Sequence, residues 1–295
     1  MTDYFLYSGS IAYESCLNFI ELVEKAQTNK DGAALVLSTY GGDARAAYKM
    51  GKCLQSRYEN VKIFIPGMCK SAGTILAIAA NELIFSPSGE LGPLDVQMAK
   101  KDDIADRVSG LDIIWALNTL EDRAKKIFHE LTEEIVGKSQ GIISFPVASH
   151  STSEIISSLF GPIFAKVDLA EFGSRARAME IATHYCGRLD WKYQNLIDVP
   201  YVTDFLTWKC PSHNFVIDID EAKMLFKNVR VTDEDEEELV RSFHAPSEEI
   251  AMEVITDKFQ EIESKKIKNS HENSKSSKDN QSTANERNEE SRDRA

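Results

Sequence analysis

The sequence predicts an α/β fold, a parallel sheet of repeated βαβ units with surrounding helices. Three observations carry that expectation. Short, mostly apolar runs rich in Val, Ile and Leu recur at residues 34–38, 61–65 and 83–85, which is how strands buried on both faces read. The segments between them space their apolar residues as helices do, and such alternation implies right-handed crossovers. Two of the runs end in glycine turns, Tyr40-Gly-Gly-Asp43 and Pro66-Gly-Met-Cys69, each followed by a helix-like segment.

Taken in order, residues 4–7 read as a first short strand and 8–11 as the turn out of it. From 13 to 26 the residues Cys16, Leu17, Ile20, Leu22 and Val23 give a helix with one buried face. Gly32 breaks it before the strand at 34–38. A helix at 44–58, a strand at 61–65, an alanine-rich helix at 74–80 and a strand at 83–85 follow. Pro87-Ser-Gly-Glu-Leu-Gly-Pro93 is too rich in glycine and proline for regular structure. A long amphipathic helix is expected from about 111 to 138, through Ile114, Leu117, Leu120, Ala124, Ile127, Leu131 and Ile135. Its charged face holds Glu121, Asp122, Arg123, Lys125 and Lys126.

Residues 142–152, with Pro146, read as loop or short strand, and 154–160 and 174–189 as helices. Trp191, Trp208 and two prolines make 190–211 an irregular stretch, a lid or specificity segment. A last strand at 215–217 precedes a helix at 221–226. Thr232 and Asp235 suit a capping box opening an acidic helix. Pro246 then precedes a polar helix to about 266. Beyond it the chain has almost no apolar residue to offset its ordering entropy and is expected to be disordered.

The chain has 295 residues, 42% hydrophobic and 27% charged, enough for a substantial core. A net charge of −13 argues against nucleic acid and anionic lipid as main partners. Five scattered cysteines without a CxxC pair argue against a disulfide framework or structural zinc, and suit a reducing cytosol. The N-terminus lacks the zones of a signal peptide, and no run approaches the roughly 20 apolar residues of a membrane span. No GxxxxGK[ST] or GxGxxG phosphate loop occurs and no histidines share metal-ligand spacing, so neither cofactor nor metal is expected.

The chemistry concentrates in two places. Gly41 and Gly42 form a turn whose amides can point outward. Ser71 stands at the start of the alanine-rich helix. A glycine pair after a strand can be a plain turn, and a serine at a helix start can be a plain N-cap. Together they are a nucleophile and an oxyanion hole, the latter built from the Gly41 and Gly42 amides with that of Ala72. A serine hydroxyl also needs a base within hydrogen-bond reach.

Four segments carry a resemblance. Ser38-Thr-Tyr-Gly-Gly-Asp43, Cys69-Lys-Ser-Ala-Gly-Thr74, Gly89-Glu-Leu-Gly-Pro-Leu-Asp-Val-Gln97 and Ser212-His-Asn-Phe-Val-Ile-Asp-Ile-Asp-Glu-Ala222 resemble, in order, motifs of the Clp protease/crotonase superfamily. Within it the match is to the serine dehydrogenase proteinase family, relatives of signal peptide peptidase A, over roughly residues 4–230. The resemblance implies a Clp/crotonase-type serine peptidase domain at 1–230; the residues beyond it read as an acidic helical extension at 231–266 and a polar tail at 267–295. It implies a triad in the order Ser71, Asp95, His213, with His213 as base and Asp95 orienting it; chain order is physically free. Asp95 alone reads as a turn residue and His213 as a strand-edge histidine.

The relatives' Ser–Lys dyad keeps Lys70, Lys100, Lys101, Lys125 and Lys126 open as rival bases, since a lysine base must be desolvated. The expected substrate is a peptide or unfolded protein, and relatives that pack the long helix on another subunit imply a homo-oligomer. Many relatives carry membrane helices, from which this sequence departs. Two other readings remain: a crotonase-type acyl-CoA enzyme, which would be retained on CoA resin, and a non-catalytic peptide- or protein-binding module, which would be inert to a serine-reactive probe.

Overall fold

A computed structural model of the chain describes residues 2–28, 31–94, 98–99, 107–108, 110–212 and 214–260. Helix α1 (Tyr13–Ala26) joins strand β1 (Thr2–Ser8) to β2 (Gly32–Ser38), and α2 (Ala44–Arg57) joins β2 to β3 (Asn60–Ile65). The two-residue β4 (Met68–Cys69) and the short α3 (Ala72–Ala77) lead to β5 (Glu82–Phe85), and β6 (Glu90–Leu91) follows. A small hairpin, β7 (Met98–Ala99) with β8 (Arg107–Val108), precedes the long helices α4 (Gly110–Lys138), α5 (Phe145–Phe164) and α6 (Leu169–Asp190). Then come α7 (Val199–Asp204), continued by a π-helical turn at Phe205–Lys209, α8 (Ile219–Leu225), β9 (Val229–Val231), α9 (Glu234–Val240) and β10 (Ala251–Val254).

The main sheet has six strands in the order β10-β1-β2-β3-β5-β9. All neighbours are parallel except β10 on β1. Every residue of β2 is buried, which explains its unbroken apolar sequence: a central parallel strand is covered on both faces. One face packs against α1, α2 and α3 through Phe5, Tyr7, Leu35, Leu37, Ile63 and Ile65 among others. The opposite face carries Tyr4, Val36, Phe64 and Ile84 under Val240 and Phe259 of the C-terminal segment.

Several elements differ from the sequence expectation. Residues 145–152 belong to α5 because Pro146 falls in the helix's first turn, where its missing N–H costs nothing. The stretch 190–211 contains α7, capped by the Asp198 carboxylate accepting from the Tyr201 N–H at 2.7 Å, again with a proline in the first turn. Phe215 to Ile217 is not a strand: only Ile217 makes a bridge, antiparallel to Leu91. The cap of α9 is Asp233 with Glu236, one residue beyond the expected pair. The polar helix expected after Pro246 starts later: β10 pairs with β1 over residues 251–254, and helix follows from 256 to 260, where the described residues end. Residues 261–295, including the tail expected to be disordered, lie outside the described residues.

Charge fastens the far edge of the sheet. Arg230 on β9 donates to Glu82 at 2.9 Å and to both oxygens of Glu236 at 2.7 and 2.8 Å, while Lys62 meets Glu82 at 2.9 Å. Burial alone would raise the Glu82 carboxyl, but hydrogen bonds and charge from Lys62 and Arg230 outweigh it and hold it below the usual range. A carboxyl lowered on folding contributes stability above its unfolded pKa, about 4.3. That contribution is lost as pH falls through the folded value. Calorimetry between pH 6 and 3 is therefore expected to show Tm falling more steeply for the native chain than for Glu82→Gln. Parallel slopes would remove Glu82 from the account.

Candidate active site

Ligand sites of open α/β sheets lie outside the carboxyl ends of the strands, and there this chain builds a second, smaller sheet. Thr39, just past β2, takes the Met68 carbonyl with its N–H at 2.8 Å and gives its own carbonyl to the Lys70 N–H at 3.0 Å. Strand β4 pairs in parallel with β6, and Leu91 of β6 exchanges two hydrogen bonds with Ile217, at 2.9 and 3.1 Å. Four chain segments with no sequence continuity are thus laid side by side. On the outer side the His244 carbonyl accepts the Met68 N–H at 3.0 Å.

Strand β4 ends in a sharp turn at Ser71, whose backbone has φ +51° and ψ −112°. A non-glycine residue held there costs on the order of 1–3 kcal/mol and persists only where its surroundings over-determine it. Here the N–H groups of Gly73 and Thr74 bond back to the carbonyls of Lys70 and Ser71, at 2.8 and 2.9 Å. The plain reading of Ser71 as an N-cap does not hold, because its side chain makes no capping hydrogen bond to α3. The turn instead presents the side chain at a partly accessible position.

Gly41 lies directly against this turn. Its φ is +100°, and a methyl group there would stand 2.7 Å from Ser71 Cβ, 2.8 Å from the Lys70 carbonyl oxygen and 3.2 Å from the Ala72 nitrogen. The structure therefore brings Gly41, Ser71 and Ala72 together from successive strand–helix units. Gly42, at φ +142°, is wedged against the Ile11 backbone, and the next residue, Asp43, accepts from the N–H of Arg45 at 2.7 Å to cap α2. The Gly41 N–H donates to the Thr39 hydroxyl at 3.0 Å. Among the described residues no hydrogen bond to the N–H of Gly42 or Ala72 is formed.

Thr74 pins the Gly-Glu-Leu-Gly-Pro turn: its hydroxyl donates to the Gly92 carbonyl at 2.7 Å. Cys69, two residues before Ser71, is fully buried, and that burial pushes its thiol well up, so it offers no thiolate. Asp95, His213, Lys100 and Lys101 lie outside the described residues. Lys125 and Lys126 are exposed and pair with Glu121 and Glu130 along α4, so they lack the desolvation a lysine base requires. His129, His150 and His184 are exposed on helices, the last two beside Glu154 and Glu180. His150, expected in a loop, sits in α5.

Sequence reasoning missed Thr39, Thr74, His244 and the role of Lys70. The one available signal was a single Lys and a single Glu, Lys70 and Glu90, isolated in otherwise uncharged turns. A cavity of about 600 Å³ lies elsewhere, lined by Tyr48, Lys52, His184, Arg188 and Trp191 among others, and of the described residues Gly41, Gly42, Ser71 and Ala72 none borders it.

A serine on a strained strand-to-helix turn, backed by a glycine turn at the carboxyl ends of parallel strands, stands here on an α/β fold with a six-stranded, mostly parallel sheet. Residues 17–110 match the model of the family described as ClpP-like SDH-type serine proteinase. That stretch contains Gly41, Gly42, Ser71, Ala72 and Asp95, with His213 beyond it. Two uncharacterized proteins of Methanocaldococcus jannaschii, MJ0137 and MJ1495, are 32% and 30% identical over 66 residues. Each match spans 22% of this chain and 23% of the relative, so the chain covers about a quarter of their length. Two solved structures of the 1510-N membrane-bound stomatin-specific protease are similar at 17% identity. One is a serine-to-alanine mutant and the other a lysine-to-alanine mutant in complex with a substrate peptide. The alignments cover 49% of this chain and 65% and 62% of those chains, with TM-scores of 0.31 and 0.30. Among the described residues of this chain no helix is long and apolar enough to cross a membrane.

Proposed function

We propose that the chain is a serine peptidase acting through an acyl-enzyme on Ser71. The observation that carries this reading is the strained Ser71 turn packed on Gly41, with a hydroxyl that does not cap its helix. The Ser71 oxygen attacks the scissile carbonyl carbon and its proton passes to the His213 imidazole, which Asp95 orients. The carbon–nitrogen bond then breaks, the leaving amine takes that proton, and water hydrolyses the ester to release the acid and restore Ser71. The N–H groups of Gly42 and Ala72 stabilise the oxyanion, each worth about 10²–10³ in rate. Gly41, whose N–H is engaged by Thr39, makes room for the turn instead.

The substrate is a peptide or unfolded protein, and the cleavage is internal to it. The exposed apolar side chains of α5, among them Phe145, Val147 and Leu159, support assembly into a homo-oligomer. Five buried, unpaired thiols support a cytoplasmic setting.

Labelling the intact chain with a fluorophosphonate probe and locating the adduct by mass spectrometry tests the reading. An adduct on Ser71 is expected. Folded protein that stays unlabelled at Ser71 would overturn it in favour of a peptide-binding module on the same fold.

A further inference from the structure

Lys70 adjoins Ser71 in sequence but its side chain leads away into the protein, with 11% of its surface exposed. Its Nζ lies 3.0 Å from Glu90 Oε1, and donates to the carbonyls of Leu91 at 3.2 Å and Phe215 at 3.4 Å. An ammonium has three N–H donors and no lone pair, and here three acceptors surround it. All three contacts draw Nζ toward Glu90 and the two carbonyls.

The location of the acceptors gives the group its role. Leu91 lies four residues before Asp95, and Phe215 two residues after His213. The backbone ties between these segments are meagre: β4 and β6 are two residues long each, and Leu91 meets Ile217 in a single bridge. Short pairings of this kind open at low free energy. A charge-assisted hub with three acceptors is stronger than the neutral bonds beside it, and its charge is balanced by Glu90.

We propose that Lys70 is a positioning residue, its ammonium clamping the Ser71 turn to the two segments that carry Asp95 and His213. The clamp itself follows from the contacts; its consequence for turnover rests on the serine-peptidase reading.

Hydrogen exchange read by mass spectrometry on the full chain tests the clamp, with Lys70→Met, Lys70→Arg and Glu90→Gln. In Lys70→Met, peptides covering 88–94 and 214–218 are expected to exchange at least tenfold faster, with β2 peptides unchanged. Glu90→Gln gives a smaller effect, about threefold, in the same peptides and serves if Lys70→Met fails to fold. Hydrolysis by Lys70→Met is expected to lose at least tenfold in kcat with KM within twofold, and Lys70→Arg to recover most of it. Unchanged exchange at 88–94 and 214–218, or acceleration shared equally by β2, overturns the clamp. A native chain that shows no hydrolysis and no Ser71 adduct sinks the peptidase reading, while exchange still decides the clamp.

Discussion

Replacing Ser71 with alanine is expected to abolish peptide hydrolysis and leave the fold intact. Removing the nucleophile of a triad enzyme costs on the order of 10⁶ in kcat. The turn is held by backbone bonds from the Gly73 and Thr74 N–H groups to the Lys70 and Ser71 carbonyls, which alanine retains. Tm measured by calorimetry should therefore move by no more than roughly 2–4 °C, about 1 kcal/mol for a domain of this size. Hydrolysis at native rate would mean that the chemistry belongs to another residue, and would sink the proposed mechanism. A lost activity accompanied by a collapsed Tm would instead expose a structural role.

Gly41→Ala carries the second large effect. A methyl group at this position meets Ser71 Cβ and the Lys70 carbonyl oxygen at 2.7 and 2.8 Å, and the φ of +100° is one that side-chain-bearing residues rarely adopt. Both partners belong to the strained turn, so relief of the clash falls on that turn. The strain adds a few kcal/mol at most, so the chain should still fold, with a Tm several degrees lower. Activity should suffer far more. A displacement of about 1 Å at a reacting atom costs on the order of 10² in rate, and the least costly relief of this clash is to move Ser71. Expected, then, are a kcat lowered by at least 10² and slower probe labelling at Ser71. Native labelling kinetics in a folded Gly41→Ala would show that Gly41 does not support the turn.

How much of this was legible in the sequence follows from burial. Strands β1, β2, β3 and β5 are largely covered by other elements, so selection for apolar side chains leaves mostly apolar runs. Strand β10 is an edge with three of its four residues exposed, and β9 is three residues long. Neither needs an apolar signature, and their charged flanks resemble those of a surface helix. Pro146 misled because the same residue that breaks a helix interior is at home in its first turn.

At the site, Gly41 and Ser71 were readable as a pair because successive strand–helix units of a parallel sheet deliver their turns to one edge. The hub at Lys70 was not. Nothing in a sequence says that a lysine beside a serine turns inward to find carbonyls more than twenty residues away and beyond. Engagement of the Gly41 N–H by Thr39 is similarly a matter of side-chain geometry.

Pairing the first described strand with the last has a consequence for the chain while it is being made. Strands β2, β3 and β5 add to one side of β1 as they emerge, but its other edge gains a partner only when β10 follows. At about 5–20 residues per second this interval lasts roughly ten to fifty seconds on the ribosome. Throughout it β1 presents an open row of N–H and C=O groups flanked by Tyr4 and Leu6, which the C-terminal segment later covers. An unprotected edge of that kind recruits strands from other nascent chains. The late strand is thus a seal as well as a sheet member, and translation halted before residue 251 leaves a product primed to aggregate.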